Sequence, residues 1–214
     1  MVIDIGTNIG LYTLFSSKLG RDVLSVEPFE DNILRLHKAV KLEGLENKIT
    51  LLKNVVFNER NIINRISSDS WNSGNKRIDK NFSIENNQID ANDKYMVNSI
   101  ILNDLVDYIP INKMTQKKYE KAIMKIDIEG FEAYAFQSAR LLLNSIDIRV
   151  IFMEWMHVKK YNEQSIEYKY VSEMVDLLVS YNYNPFDFNN RLLDPKLFAN
   201  WNTHDVVWSK INFE

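Results

Sequence analysis

The stretch Val2–Gly10, reading VIDIGTNIG, constrains this chain more than any other. Val2, Ile3, Ile5 and Ile9 are aliphatic and β-branched, and they surround an acid, Asp4, and two glycines four positions apart, Gly6 and Gly10. A short apolar run of this kind fits a strand buried on both faces, as strands are in a parallel sheet covered by helices. The glycines end the strand and let the chain turn at once into a helix, from about Leu11 to Leu19. A parallel strand that ends in a glycine turn ahead of a helix is where an α/β sheet receives ligands. The helix N-terminus presents free N–H groups and partial positive charge there.

The rest of the chain repeats the alternation of short apolar runs with longer helical patterns, which predicts βα units and a mostly parallel sheet. Strands are expected at Val23–Val26, Ile49–Val56, Val97–Leu102, Ala122–Ile128, Val150–Glu154, Tyr181–Phe188 and Asp205–Trp208. Asp31 or Asn32 is placed to cap a helix carrying Ile33, Leu36 and Val40, and further helices are expected at Phe131–Leu143 and Tyr168–Ser180. Ser67–Tyr95 is rich in Asn, Ser and Asp without sustained periodicity and reads as a long loop. Placed near the sheet's carboxyl edge, it would act as a lid, with Trp71 and Phe82 as anchors. Residues 1–214 thus read as a single α/β domain with a polar insertion at about 67–95.

Composition removes several alternatives. At 214 residues and 45% hydrophobic, the chain can bury one sizeable core. A net charge of -3 with 26% charged residues leaves no basic footprint for nucleic acid. No apolar run reaches the ~18–20 residues that cross a bilayer. The absence of cysteine removes thiol nucleophiles and Cys-ligated zinc. A cytoplasmic setting is the default, with the compartment left open.

Two nucleotide-type cofactors use such a turn. Dinucleotide enzymes want G-x-G-x-x-G, and Asn8 stands where the middle glycine would let a diphosphate approach. The pattern here is D-x-G-x-x-x-G, whose Asp4 suits a ligand carrying positive charge, such as S-adenosylmethionine. The second strand ends in Glu27, in the phrase LSVEPF, where a carboxylate can accept ribose hydroxyls or simply cap the next helix.

VIDIGTNIGLYTLF, VEPFEDN, NSIILNDL and above all IMKIDIEGFE followed by VIFMEW resemble the FkbM-type methyltransferases, across about Val2 to Trp155. These are class I, S-adenosylmethionine-dependent enzymes, most of which methylate hydroxyl oxygens. The resemblance implies a Rossmann-like fold with a seven-stranded, mostly parallel sheet, an antiparallel last strand and helices on both faces. It also implies chain ahead of the first strand, so the sequence reads as truncated there. Asp4, Gly6, Thr7, Asn8 and Gly10 fall around the methionine part of the cofactor, Glu27 and Pro28 at the ribose, and Asn54 and Val55 near the adenine. Asp127 falls beside the reacting methyl group. Leu102-Asn103-Asp104-Leu105 departs from the family's L-D-D-L, and Ser138 replaces a glycine.

Methyl transfer to oxygen needs an aligned acceptor, exclusion of water and removal of a proton. Asp127, Glu129, Glu154 and His157 are the candidate catalytic residues, because neighbouring strand tips would bring them to one acceptor hydroxyl. Glu132 reads more simply as a helix N-terminal acid, and Lys125 as a structural residue on the strand's other side. Such an acid cluster is also able to hold a divalent cation, although a metal-free site is the favoured reading. The aromatic tail, WMHVKKY and YNYNPFDFNNRLLDP, suits core filling, a final hairpin or a sugar-binding wall. The expected partner is a small hydroxylated acceptor: a sugar, polyol, lipid or other small molecule. A binding domain that has lost turnover and a nicotinamide-dependent oxidoreductase remain as alternatives.

Overall fold

The computed structural model describes residues 1–69, 72–78 and 93–210. β1 (Val2–Ile5), β2 (Val23–Val26) and β3 (Ile49–Leu52) are connected through α1 (Leu11–Lys18) and α2 (Glu30–Leu42). β4 (Val55–Val56), β5 (Ile63–Asp69), β6 (Asn72–Ile78) and β7 (Met96–Ile100) form a second sheet in the order β4-β7-β5-β6. A 3-10 helix at Leu102–Tyr108 and the ribbon β8 (Ile111–Asn112) with β9 (Lys117–Lys118) lead to β10 (Lys121–Ile126). α3 (Glu132–Phe136), α4 (Arg140–Ser145), β11 (Asp147–Glu154), α5 (Ile166–Ser180), β12 (Asn184–Phe186) and β13 (Asp205–Ser209) follow.

The main sheet has seven strands in the order β12-β13-β11-β10-β1-β2-β3. β13 alone runs antiparallel, to β11 and to β12, and the other neighbours are parallel. The sheet implied by the resemblance is therefore present. Strand order reverses at β1, which has β2 on one side and β10 on the other. That switch point opens a crevice above the carboxyl ends of the strands.

Burial explains the sequence pattern. All four residues of β2 are buried, so VLSV shows no apolar–polar alternation. Ile3 and Ile5 pack into the larger core with Met124 and Ile126 and with Leu142, Val171 and Val175 from the helices. On the other face Leu36 and Val40 of α2 pack with Leu14 and Leu51. The aromatic tail mostly fills the core. Trp155 lies 4.8 Å from Trp201 and 6.3 Å from Trp208, ring centre to ring centre. Tyr183 is buried with its hydroxyl donating to the Ile148 carbonyl.

Several expected boundaries are corrected. Ile49–Val56 is not one strand: the chain leaves the main sheet after Leu52, and Val55 and Val56 pair with β7. Val97–Leu102 likewise joins the second sheet through Met96–Ile100. The expected long loop is partly strand, because β5 and β6 pair with Ser67 opposite Arg77. Trp71 and Phe82, the proposed lid anchors, lie outside the described residues. Neither Asp31 nor Asn32 caps α2; Phe29 occupies that position and both polar residues lie inside the helix. The Phe131–Leu143 helix breaks between Phe136 and Arg140. There the Ser138 hydroxyl donates to the Ala135 carbonyl (3.1 Å) and accepts from the Leu102 N–H (3.2 Å).

Candidate active site

The crevice is a cavity of about 650 Å³ that reaches from Glu27, Asn54 and Val55 across the Gly6–Asn8 turn to Asp127, Glu129 and Glu154. Thr7 and Pro28 also line it. The turn is packed against its neighbours. A Cβ on Gly6, whose φ is +75°, would sit 1.8 Å from the Asp127 carbonyl oxygen. Gly10, at φ +89°, lies against Leu36 of α2, where a Cβ would approach a methyl carbon to 2.3 Å. Gly10 therefore serves the packing of α1 on α2, and it is absent from the cavity wall. The Thr7 hydroxyl donates to the carbonyls of Asp4 and Val26, both at 3.1 Å.

Glu27 ties the turn to the tip of β2. One carboxylate oxygen accepts the Asn8 N–H at 2.8 Å. The other accepts the Phe29 N–H at 3.0 Å and the Asn32 side-chain amide at 3.2 Å. Asn32 thus works as a partner of Glu27 and, at 3.3 Å, of the Asn8 side chain. Burial raises the Glu27 carboxyl from its ordinary range, and these N–H donors pull it back.

Asp4 is corrected. It is fully buried beneath the turn and does not line the cavity. Its carboxylate accepts the Thr13 hydroxyl at 2.6 Å, and Thr13 lies 2.6 Å from the Ser25 hydroxyl. The acid links β1, α1 and β2 from below. Burial raises its carboxyl, opposed by the Thr13 hydrogen bond.

At the other end, β10 and β11 bring the predicted acids together. Lys125 near the end of β10 and Asp127 just past it pair at 3.0 Å. Lys125 is thus corrected to a cavity-lining residue, with its ammonium 5.2 Å from the Tyr12 ring centre. His157 Nε2 lies 3.2 Å from Glu154 and 3.6 Å from Glu129. The Glu129 and Glu154 carboxylates, in that order, push the imidazole up to about 9. The raised value makes the imidazole a poor proton acceptor near neutral pH. Glu132 is buried and accepts the N–H groups of Ile128 (2.8 Å) and Gly130 (3.4 Å). It holds the loop that carries Glu129, which adopts the left-handed φ of +59°.

Asp205 was missed by the sequence reading. It pairs in register with Glu154 and lines the cavity, and burial followed by the Asp127 charge raises its carboxyl. The signal was weak, since a final antiparallel strand is placed by topology alone. Ile123, Phe152 and Phe188 also line the cavity. Asn103 lies away from the cavity. Its side-chain oxygen accepts the Leu142 N–H at 3.1 Å, so the lost acid concerns helix packing and not the cavity.

Comparison with solved structures places the chain beside a methyltransferase FkbM from Methylobacillus flagellatus. The two share 15% identity with a TM-score of 0.52, over 97% of this chain and 42% of that one. This chain therefore spans less than half the length of that relative, and the likeness is one of fold. A Staphylococcus aureus protein assigned as a caffeoyl-CoA O-methyltransferase aligns at 10% identity and TM-score 0.49, covering 97% and 74% of the two chains. A Streptococcus mutans protein assigned as a methyltransferase, crystallised with SAH, aligns at 11% and 0.46, covering 98% and 88%. A search of curated proteins finds no match. The profile of the methyltransferase FkbM domain matches residues 4–185. With most of its length matched and the seven-stranded sheet in place, the chain belongs to the methyltransferase FkbM domain family.

Proposed function

We propose that this domain transfers a methyl group from S-adenosylmethionine to a hydroxyl of a small molecule. The observation that carries the reading is Glu27, a buried carboxylate on the wall of the same cavity as the glycine turn and the Asp127–Glu129–Glu154 cluster. A carboxylate offers about four acceptor positions. Three N–H groups occupy Glu27, which leaves capacity for one ribose hydroxyl. The Gly6–Asn8 backbone holds the amino acid portion, and Asn54 and Val55 flank the base. When bound, S-adenosylmethionine supplies an electrophilic methyl on a sulfonium.

The chain's own residues then do three things. The cavity walls exclude water, and the carboxylates at the tips of β10 and β11 attract the sulfonium and orient the acceptor. One of them, Asp127, Glu129 or Glu154, receives the hydroxyl proton as the O–CH3 bond forms and the S–CH3 bond breaks. His157, held between Glu129 and Glu154, orients these acids and is not the base. The apolar residues Ile123, Phe152 and Phe188 face the acceptor's carbon skeleton. Calorimetric titration with S-adenosylhomocysteine tests the reading. One site per chain is expected, and a folded sample that gives no heat at high concentration overturns it.

A further inference from the structure

We propose that Glu129, Glu154 and His157 form a binding site for one divalent cation of the Mn2+ type. Among the described residues, these three place one ligand atom each, two carboxylate oxygens and an imidazole nitrogen, within 4.8 Å of one another. A cation held ~2.0–2.2 Å from each ligand keeps its ligands roughly 3–4 Å apart. Two of the pairs already stand at 3.2 and 3.6 Å.

The second, independent observation is a pair of unsatisfied atoms. Glu154 Oε2 and His157 Nε2 are buried and make no hydrogen bond, although they face each other across 3.2 Å. A buried polar atom without a partner is costly. A single proton on the imidazole nitrogen can be directed at one of the two carboxylates. A cation that displaces that proton satisfies the nitrogen and both acids at once.

The surroundings suit such a site. Gly130 packs against the imidazole so closely that a Cβ there would lie 3.1 Å from the ring, which fixes its rotation. Tyr161 donates to the Gly130 carbonyl at 2.8 Å, and Glu132 clamps the same loop from the other side. Partners of this kind orient metal ligands. Glu129 and Glu154 lie on the cavity wall with Asp127 and Asp205, and Lys125 is the single cationic side chain among the described residues lining it. Three protein ligands leave coordination positions open toward the cavity. Oxygen and imidazole donors suit a first-row divalent ion acting without redox change.

On the methyl-transfer reading, on which this use rests, the open positions would take acceptor oxygens and favour an acceptor with two adjacent oxygen functions. A cation-held hydroxyl gives up its proton more readily.

The test is binding of Mn2+ alone to the full chain, followed by loss of the free-ion electron paramagnetic resonance signal. Titration with S-adenosylhomocysteine on the same preparation runs beside it. One Mn2+ per chain is expected, with electron spin-echo modulation from a directly bound imidazole nitrogen. Glu154→Gln and His157→Asn should each weaken Mn2+ binding at least about tenfold, and His157→Asn, which lies off the cavity wall, should leave S-adenosylhomocysteine binding in place. The modulation is read on the unaltered protein, so a variant that fails to fold leaves the proposal testable. No Mn2+ binding up to millimolar concentration, binding without the nitrogen modulation, or folded variants that bind as well as the parent would each overturn the site. Nucleoside binding without metal binding removes the cation and leaves the proposed function standing; the converse result does the reverse.

Discussion

Gly6 is the position least open to change. Its φ of +75° is strained for any other residue, and the nearest obstacle to a Cβ is backbone, the Asp127 carbonyl oxygen. Gly6→Ala must push the turn away from β10, so S-adenosylhomocysteine binding should fall by two orders of magnitude or more in calorimetry. Unchanged affinity would show that the turn does not touch the ligand. Glu27→Gln keeps an acceptor for some of its three N–H donors but loses the charge. Charge-assisted hydrogen bonds contribute about 1.5–3 kcal/mol each, so binding should weaken roughly ten- to hundredfold. The places of Gly6 in the turn and Glu27 at the strand tip were legible in the sequence because turn geometry and strand-tip acids are local properties. The placement of Asp4 was not. Strand alternation turns it toward Thr13 and Ser25, and only the docking of α1 decides that the hydroxyls, not a ligand, meet its carboxylate.

At the scale of elements, the loop between β10 and α3 depends on Glu132. Burial pushes its carboxyl from 4.5 up to about 7. A folded-state value above the unfolded one means that the protonated acid is favoured by folding. The stability it contributes is complete below about pH 4.5 and is lost as pH rises through about 7. The limit of that loss is on the order of 3 kcal/mol. Glu132→Gln stays neutral and still offers an acceptor to the Ile128 N–H. Urea unfolding at pH 5 and pH 8 should therefore show the parent losing stability relative to the variant across that interval; parallel behaviour would contradict the argument. The sequence identified the acids of this loop but assigned Glu132 to the helix dipole. Periodicity locates a residue on an element, whereas its role in gripping Ile128 and Gly130 comes from a loop closure that no local pattern encodes. The same limit explains the split third strand, since Val55 and Val56 are equally good strand residues in either sheet.

For the whole molecule, a ligand in a cavity walled by β1, β2, β10 and β11 stabilises all of them together. At a hundred times its dissociation constant, S-adenosylhomocysteine should add about 2.7 kcal/mol. For a chain of this size that corresponds to roughly 5–10 °C in melting temperature, measurable by scanning calorimetry. A shift restricted to one of several transitions would show that the sheet does not melt as a unit. The fold class was legible because buried parallel strands and helices carry distinct periodicities, and because the KIDIEGFE block is specific. The pairing of Glu154 with Asp205 was not, because an antiparallel insertion between two other strands is a decision of the whole sheet. One feature of that sheet also bears on how the protein is made. Val2 pairs with Ile123, and Gly6 rests on the carbonyl of Asp127, so more than half the chain separates the two sides of the cavity. A ribosome adding about 5–20 residues per second releases the glycine turn on the order of ten seconds before the strand that completes it. During that interval the nascent chain exposes the unpaired edge of β1. Chaperone capture and aggregation should therefore concentrate on chains arrested before β10 emerges.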